Sequence, residues 1–591
     1  MPFRPTCLPA DLESRIAAQG VAIAELERAL WAGGLNEVLL APYQAAFREL
    51  ERLIAACGED SRHRFVLVIP VADSPLHLQD CLSSLLELCT AYGYGGQVDG
   101  RWRKVSVLLA DDSGDAASIT KNREIAAGFD HQGLATEYFG LAEQIALLDR
   151  LAGLELSAIV GSHRREAFHH KGQAMMRNLA YLKLAELAAV EPLLFYTLDA
   201  DQEFKVKVAT AAGGRDVCAV NFLYRLDEIF RASDVQVLTG KVVGDPPVSP
   251  AVMAGNFLED VTGFLREMAA AAPRQAYRQP DFGDAGAGDA AYHDMADLFG
   301  FKPGGEAYRY RCALPGTPDN SACFAEFSRR LNRFFHGEHP TRITWYSYQA
   351  ALASVQPART VYTGNYVFRP AALGWFIPFA PLRLRMSGPS MGRLLRAEIG
   401  GRFVTANLPM LHKRTVAATG QAEFRPGIVA VQERIDLCGE FERQFFGDVM
   451  LFTLERLTAL GYPAQRLDER VVGEILDAVR GEMREKYRGK QRALLGKLGQ
   501  LTALLDDPAN WWNRSEELAD AVAQFHSFAA NLDHNFGTDS PCFARIDAPD
   551  NRETWHARQL AAIAGFQADR EVWSEALALF SPLPQRGRGR G

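Results

Sequence analysis

The sequence predicts an α/β fold: a mostly parallel, Rossmann-like sheet with flanking helices, plus helical additions at both ends. Three short apolar runs, RFVLVIPV (64–71), KVSVLLADD (104–112) and PLLFYTLDAD (192–201), have the composition of buried parallel strands. Segments with helical spacing at 74–92 and 172–190 lie between them. This alternation is typical of sheets whose ligands bind beyond the carboxyl ends of the strands.

Residue patterning divides the chain into four parts. Residues 1–60 carry apolar residues at three- and four-residue spacing, as amphipathic helices do. Residues 61–425 contain the strand–helix alternation, with an irregular insertion at about 205–355. Residues 426–580 are helical again, and 581–591 form a short basic tail. The amphipathic ends are consistent with packing on the sheet and with assembly of a homo-oligomer.

Composition narrows the class of protein. The chain has 591 residues, of which 48% are hydrophobic, so it has enough apolar surface to fold. Its formal net charge of −8 argues against a nucleic-acid partner or a membrane surface held by bulk charge. We expect no transmembrane segment, because no apolar run reaches about 18 residues, and no secretory signal. Nine scattered cysteines without a CxxC pair favour reduced thiols and a cytoplasmic protein.

The strongest chemical signal is Asp199-Ala200-Asp201, which follows the apolar run LLFYTL. Side chains at positions i and i+2 of an extended chain project to the same side, so both carboxylates can face one ligand. Mg²⁺ and Mn²⁺ prefer oxygen ligands and take the remaining ones from water or substrate phosphates. The alternative is an ordinary solvated turn, but the position of the pair at a strand end favours a cation site.

Five further short motifs lie before and after this pair in the chain. In sequence order, with the pair itself, they are Val68-Ile69-Pro70-Val71, Asp111-Asp112-Ser113-Gly114, Lys171-Gly172 with Arg177-Asn178, Asp199–Asp201, Tyr362–Arg369, and Arg402–Arg414. Together they resemble the motifs of nucleotide-sugar glycosyltransferases of the GT-A fold, the family 2 type and its relatives. The helix entry and the late histidine also resemble those of retaining glucosyl-3-phosphoglycerate synthases. The resemblance covers about 64–415, apart from much of 205–355.

The resemblance implies a nucleotide site at the ends of the first two strands. In such a site Pro70, Val71 and Ala72 would line the base and ribose pocket. Asp111 or Asp112 would form a hydrogen bond with the base or the ribose. These five residues are therefore the expected nucleotide-binding wall.

The resemblance also implies a diphosphate and metal site. Lys171 would lie near the diphosphate or the base, although a solvated loop cation is an equally good account of this lysine. Asp199 and Asp201 would bind the ribose and a Mg²⁺ or Mn²⁺ ion. His412 would be a third metal ligand, since neutral imidazole can ligate Mn²⁺. A structural histidine is the alternative.

The catalytic base is the point at which the chain departs from the family pattern. Inverting relatives carry an acidic pair in the stretch that corresponds to residues 386–392, and this chain has no carboxylate there. A base must lie within hydrogen-bond reach of the acceptor proton. Asp245 is the candidate chosen here, with Glu259 and Asp260 as others. A retaining reaction without a dedicated base stays open.

These observations predict a metal-dependent glycosyltransferase of the hexosyltransferase type. It would move a sugar from a UDP- or GDP-sugar to an acceptor hydroxyl. One alternative is a sugar-phosphate nucleotidyltransferase, although IPVADSPLHLQ lacks the glycine-rich basic loop that such enzymes carry after the first strand. Another is a degenerate GT-A domain that serves as a binding scaffold.

Overall fold

The computed structural model has an α/β architecture around one eight-stranded sheet. It describes residues 10–162, 168–187, 192–210, 213–247, 249–280 and 309–580. The predicted basic tail at 581–591 lies outside these ranges. In chain order the strands of the sheet are β1 (Arg64–Val71), β2 (Val105–Asp111), β3 (Ala135–Phe139), β4 (Leu193–Leu198), β5 (Val237–Thr239), β6 (Gln356–Pro357), β7 (Asn365–Phe368) and β8 (Phe403–Thr405).

Strand order and direction confirm the predicted, mostly parallel sheet. The order is β6-β8-β5-β7-β4-β1-β2-β3. Strands β1 to β4 run parallel to their neighbours in that group, and β5 is parallel to β8, while β7 and β6 are antiparallel to theirs. Val71 pairs with Asp111, and Val68 pairs with Thr197. The carboxyl ends of β1, β2 and β4 therefore meet at one edge of the sheet.

Sixteen α-helices surround the sheet in the described residues. None of these helices combines the length and the apolar character needed to cross a membrane. Their bounds are α1 Ala10–Trp31, α2 Leu40–Ala55, α3 Pro75–Tyr92, α4 Ala116–His131, α5 Leu141–Asp149, α6 Ser157–Val160, α7 Gln173–Ala185, α8 Phe222–Ala232, α9 Pro250–Ala270, α10 Asn320–Arg330, α11 Ser387–Ile399, α12 Cys438–Ala459, α13 Glu469–Asp506, α14 Ala519–Phe536, α15 Pro541–Asp547 and α16 Pro549–Phe580.

The helices at the two ends of the chain pack into the apolar cores on the two faces of the sheet. One face of the sheet packs on α1, α2, α3 and α8 in a single apolar cluster. The other face belongs to a cluster that continues through α7 and α9 into α12 to α16. The indole Nε1 of Trp573 on α16 donates to the Leu373 carbonyl at 2.8 Å, which ties the last helix to the strand region. The C-terminal helices are thus built onto the sheet domain.

The stretch expected to be an insertion contributes to the sheet itself. Residues 205–355 include β5, which lies between β7 and β8 in the centre of one half of the sheet. The residues Val237–Thr239 before a glycine and proline turn predict a strand, but three residues do not indicate that it pairs within the main sheet. Residues 281–308 of the same stretch lie outside the described ranges.

A buried carboxyl group in α12 makes stability depend on pH. Asp448 is fully buried and accepts hydrogen bonds from the Tyr487 hydroxyl at 2.5 Å and from Gln444 Nε2 at 2.8 Å. Burial raises its pKa to about 7, although both hydrogen bonds oppose the shift. The folded chain therefore holds a proton there that the unfolded chain releases near pH 4.

We expect this raised pKa of Asp448 to cost stability as the pH rises from about 4 to 7. The contribution of Asp448 to the free energy of unfolding should be about 2–3 kcal/mol smaller at pH 8 than at pH 5. Asp448→Asn removes this titration. In urea unfolding, the free energy of unfolding of the variant minus that of wild type should therefore be larger at pH 8 than at pH 5. A difference that does not change with pH would contradict the assignment.

Candidate functional site

A cavity of about 260 Å³ lies at the carboxyl ends of β1, β2 and β4. Strand β1 is apolar from Phe65 onwards and stays buried up to its last residue, Val71. The wall on this side is formed by Pro70, Val71, Ala72, Asp112 and Lys171. Four of the five residues expected at the nucleotide site are therefore brought together, with the predicted lysine beside them.

Asp199 and Asp201 follow β4 and both line the same cavity. The backbone turns directly after the strand, where the Gln202 N–H donates to the Asp199 carbonyl at 3.1 Å. Each carboxylate is paired with an arginine: Arg177 donates to Asp199, and Arg414 Nη1 donates to Asp201 Oδ2 at 2.5 Å. The two acidic side chains remain 15% and 17% exposed, so they still face the cavity.

His412 lies next to Asp201. It ends the short strand Met410–His412, which pairs with Gln202–Glu203. Its Nδ1 lies 2.6 Å from the Asp245 carbonyl oxygen, which can only accept, so this nitrogen carries the hydrogen. In the neutral ring Nε2 then has a free lone pair, and it lies 3.4 Å from Asp201 Oδ2. Metal-binding histidines commonly have this second-shell arrangement.

The donor set fits part of a coordination shell for a divalent cation. Asp201 Oδ1 is buried and has no hydrogen-bond partner, and His412 Nε2 is close to the same carboxylate. Burial would raise the pKa of Asp201, but the Arg414 guanidinium holds it well below its usual range, so this side chain stays anionic. Within the described ranges no three acidic, histidine or cysteine side chains form a complete site. Ligand oxygens and water would have to complete it.

Asp112 and Lys171 form a buried ion pair. Lys171 Nζ donates to Asp112 Oδ1 at 2.5 Å and to the Phe168 carbonyl at 2.8 Å, and the Gly172 N–H donates to Asp112 Oδ2 at 3.1 Å. Burial raises the pKa of Asp112 and lowers that of Lys171, although each opposes the shift of the other. The pair fixes the loop before α7 at the cavity edge. Both oxygens of Asp112 are already engaged.

Asp111 faces away from the cavity. Its Oδ2 accepts from the Tyr138 hydroxyl at 2.7 Å and from Asn122 Nδ2 at 3.1 Å, and its Oδ1 accepts from the Ser113 N–H. It does not line the cavity. A nucleotide role for Asp111 is therefore not supported by this geometry, and its carboxylate instead holds α4 and β3 against the end of β2.

Asp245 also lies outside the cavity lining. Its carboxylate accepts from the Arg414 N–H at 2.9 Å and from the His339 N–H at 3.4 Å. Burial and the nearby Glu338 raise its pKa. The expectation that Asp245 reaches an acceptor proton is corrected by this placement, because the side chain anchors the backbone after His412 instead.

The two other base candidates are engaged in ion pairs elsewhere. Glu259 on α9 pairs with Lys497 at 2.8 Å. Asp260 is buried and accepts from the Arg342 guanidinium at 2.9 Å. Neither lines the cavity.

The segment after His412 closes one side of the cavity, which the sequence did not indicate. The Glu423 carboxylate accepts from the N–H groups of Leu76 and His77 at the start of α3, at 3.1 and 2.8 Å. Phe424 stacks on His170 with ring centroids 4.5 Å apart and an interplanar angle of 15°. The start of α3 and the loop before α7 are joined in this way.

Four arginines of the cavity lining were also missed. Arg383, Arg385, Arg425 and Arg443 all line it, together with Glu440. The alternating arginines of PLRLRM were the available signal. Arg425 and Arg443 come from separate segments, and only the fold brings them to the same wall.

Comparison with solved structures gives only a weak likeness. No protein-family model and no curated protein matches this sequence. Among solved structures, the chain is similar to the mannosyltransferase PcManGT from Pyrobaculum calidifontis, a structure in complex with GDP-Man and Mn²⁺. The identity is 10%, over 94% of this chain and 99% of that one, with a TM-score of 0.29. A TM-score at that level does not establish a common fold.

Proposed function

We propose that this chain is a glycosyltransferase of the GT-A type that moves a sugar from a nucleoside diphosphate sugar to an acceptor hydroxyl. One observation carries the proposal. Asp199 and Asp201, at the carboxyl end of β4, open on the same cavity as the end of β1 and the Lys171 loop. A parallel sheet presents its ligand sites at such an edge. The acidic pair and the lysine together suit a diphosphate bound with a cation.

The nucleotide is assigned to the side of the cavity near β1. Pro70, Val71 and Ala72 offer an apolar surface on which a base and ribose can pack. Lys171, held by Asp112, contributes positive charge near the phosphates. Asp112 acts here as a positioning residue for that lysine.

The residues that would hold a Mg²⁺ or Mn²⁺ ion are Asp201, His412 and Asp199. When bound, the cation supplies positive charge that stabilises the departing diphosphate. Arg414 donates to Asp201 Oδ2, so it orients this carboxylate. It also adds a second positive charge next to the cation. The Asp245 carbonyl fixes the tautomer of His412 that leaves Nε2 free.

Donor binding gives the first test. We expect at least one of UDP-, GDP- or ADP-sugars to raise the melting temperature by about 2 °C or more at saturating concentration in the presence of Mn²⁺, and to lose that effect with chelator. Asp199→Asn should lose the shift, while Asp520→Asn, an exposed acid on α14, should keep it.

Three outcomes would contradict the proposal. A donor-induced rise in melting temperature that chelator does not abolish would show that donor binding does not need the cation. Turnover of a nucleoside triphosphate with a sugar 1-phosphate would identify a nucleotidyltransferase. Binding without any release of nucleoside diphosphate, across acceptors and water, would identify a scaffold.

A further inference from the structure

Two buried cysteines from distant parts of the chain lie side by side among the C-terminal helices. Cys438 is the first residue of α12, and Cys542 is the second residue of α15. Their Sγ atoms are 3.2 Å apart, although 104 residues separate the two cysteines in the sequence. Cys542 is fully buried, and Cys438 is 9% exposed. The fold therefore pairs two thiols that are far apart in the sequence.

Neighbouring contacts hold both helix starts in place. Asn535 on α14 is fully buried; its Oδ1 accepts from the Leu437 N–H at 2.7 Å, and its carbonyl accepts from the Ser540 hydroxyl. The rings of Phe441 and Phe543, on α12 and α15, lie with their centroids 4.9 Å apart. The residue before α12 and the residue before α15 are thus anchored to the same residue of α14.

This arrangement suits a disulfide bond. A disulfide joins its two sulfurs at about 2.05 Å, so the Sγ atoms of Cys438 and Cys542 have to approach each other by only about 1 Å. The packing of α12 on α15 already brings the two side chains together. Formation of the bond therefore does not require the helices to separate or to repack.

We propose that Cys438 and Cys542 form a reversible disulfide when the folded protein meets hydrogen peroxide. The Cys438 sulfur attacks one peroxide oxygen and breaks the O–O bond, which gives a sulfenic acid and, with the thiol proton, one water. The Cys542 sulfur then attacks the Cys438 sulfur, and the S–O bond breaks as the oxygen leaves with the Cys542 proton as a second water. Two thiols are oxidised and one peroxide is reduced. Cys438 takes the first step because it is the more exposed of the two.

The cross-link fixes a part of α12 that contributes to the candidate active site. Glu440 and Arg443 on the first turns of α12 line the cavity. Glu440 Oε1 lies 2.9 Å from Arg385 Nη1, and the Glu440 N–H donates to the Gly427 carbonyl at 3.0 Å. A disulfide at Cys438 joins this part of the cavity lining covalently to α15, and it closes a long loop that restricts the unfolded chain.

The test compares the reduced full chain before and after treatment with hydrogen peroxide. Mass spectrometry of a non-reduced digest should find two peptides joined through Cys438 and Cys542. Wild type should lose two more thiols, counted after denaturation, than Cys438→Ser. The melting temperature of wild type should rise by about 2 °C or more and fall again with dithiothreitol. Cys57→Ser, which removes a partly exposed thiol elsewhere, should respond as wild type does.

Four results would overturn the inference. They are no loss of thiols, sulfinic or sulfonic acid on Cys438 without a cross-link, a cross-link that forms only in denatured protein, and a cross-link confined to Cys312 and Cys323, which also share a hydrogen bond. Should Cys438→Ser not fold, the peptide map of wild type decides the question without a variant. None of these readouts involves sugar transfer, so their failure leaves the proposed function standing.

Discussion

Replacing Asp201 with asparagine is expected to lower kcat/KM for sugar transfer by roughly 10³-fold, or about 4 kcal/mol of transition-state stabilisation. One oxygen of this side chain, Oδ1, is buried without a hydrogen-bond partner, while Oδ2 accepts from Arg414 and lies 3.4 Å from His412 Nε2. The asparagine keeps the shape but removes the charge. The measurement is release of nucleoside diphosphate from the donor that gives the largest thermal shift.

The control for this variant separates chemistry from folding. Arg414 is paired with Asp201, so the variant could also lose stability. Its melting temperature is therefore compared with that of Asp520→Asn and wild type. A folded Asp201→Asn protein that turns over at the wild-type rate would remove the acidic pair from the mechanism.

Adding one methyl group at Gly364 is the second change with a large expected effect. A Cβ there would lie 2.5 Å from Asp199 Oδ2 and 2.8 Å from Gln202 Nε2. Strand β7 cannot retreat, because Asn365 pairs with Leu198 on β4. The carboxylate must move instead, and a misplacement of about 1 Å lowers the rate by roughly 10²-fold. Donor turnover measures the loss.

Gly374→Ala is the matched control for Gly364→Ala. No atom lies within 4 Å of the Cβ that this substitution would add. We expect it to retain wild-type turnover. Equal activities of the two alanine variants would show that the position of the Asp199 carboxylate does not limit the reaction.

The strands that carry the site could be predicted because their signals are local. The three apolar runs predicted β1, β2 and β4 with bounds close to the observed ones. The side-chain directions of Asp111 and Asp112 could not be chosen from the sequence. Adjacent residues at a strand end point to opposite sides, so Asp112 faces Lys171 at the cavity and Asp111 faces Tyr138.

The arginine-lined part of the site depends on contacts between segments that are distant in the sequence. Arg383 and Arg443 meet because α12 packs on α11, and neither segment contains a motif on its own. The assignment of Asp245 failed for the same reason. Its turn resembled an exposed loop, but the backbone after His412 covers its carboxylate.

The most direct measurement of the central claim is a crystal structure with the bound sugar nucleotide and Mn²⁺, using the anomalous signal of manganese. The account predicts a manganese peak about 2.0–2.4 Å from an oxygen of Asp201, beside the diphosphate and within reach of His412. A nucleotide bound elsewhere, with the Asp201–Arg414 pair intact and no manganese beside it, would contradict the account.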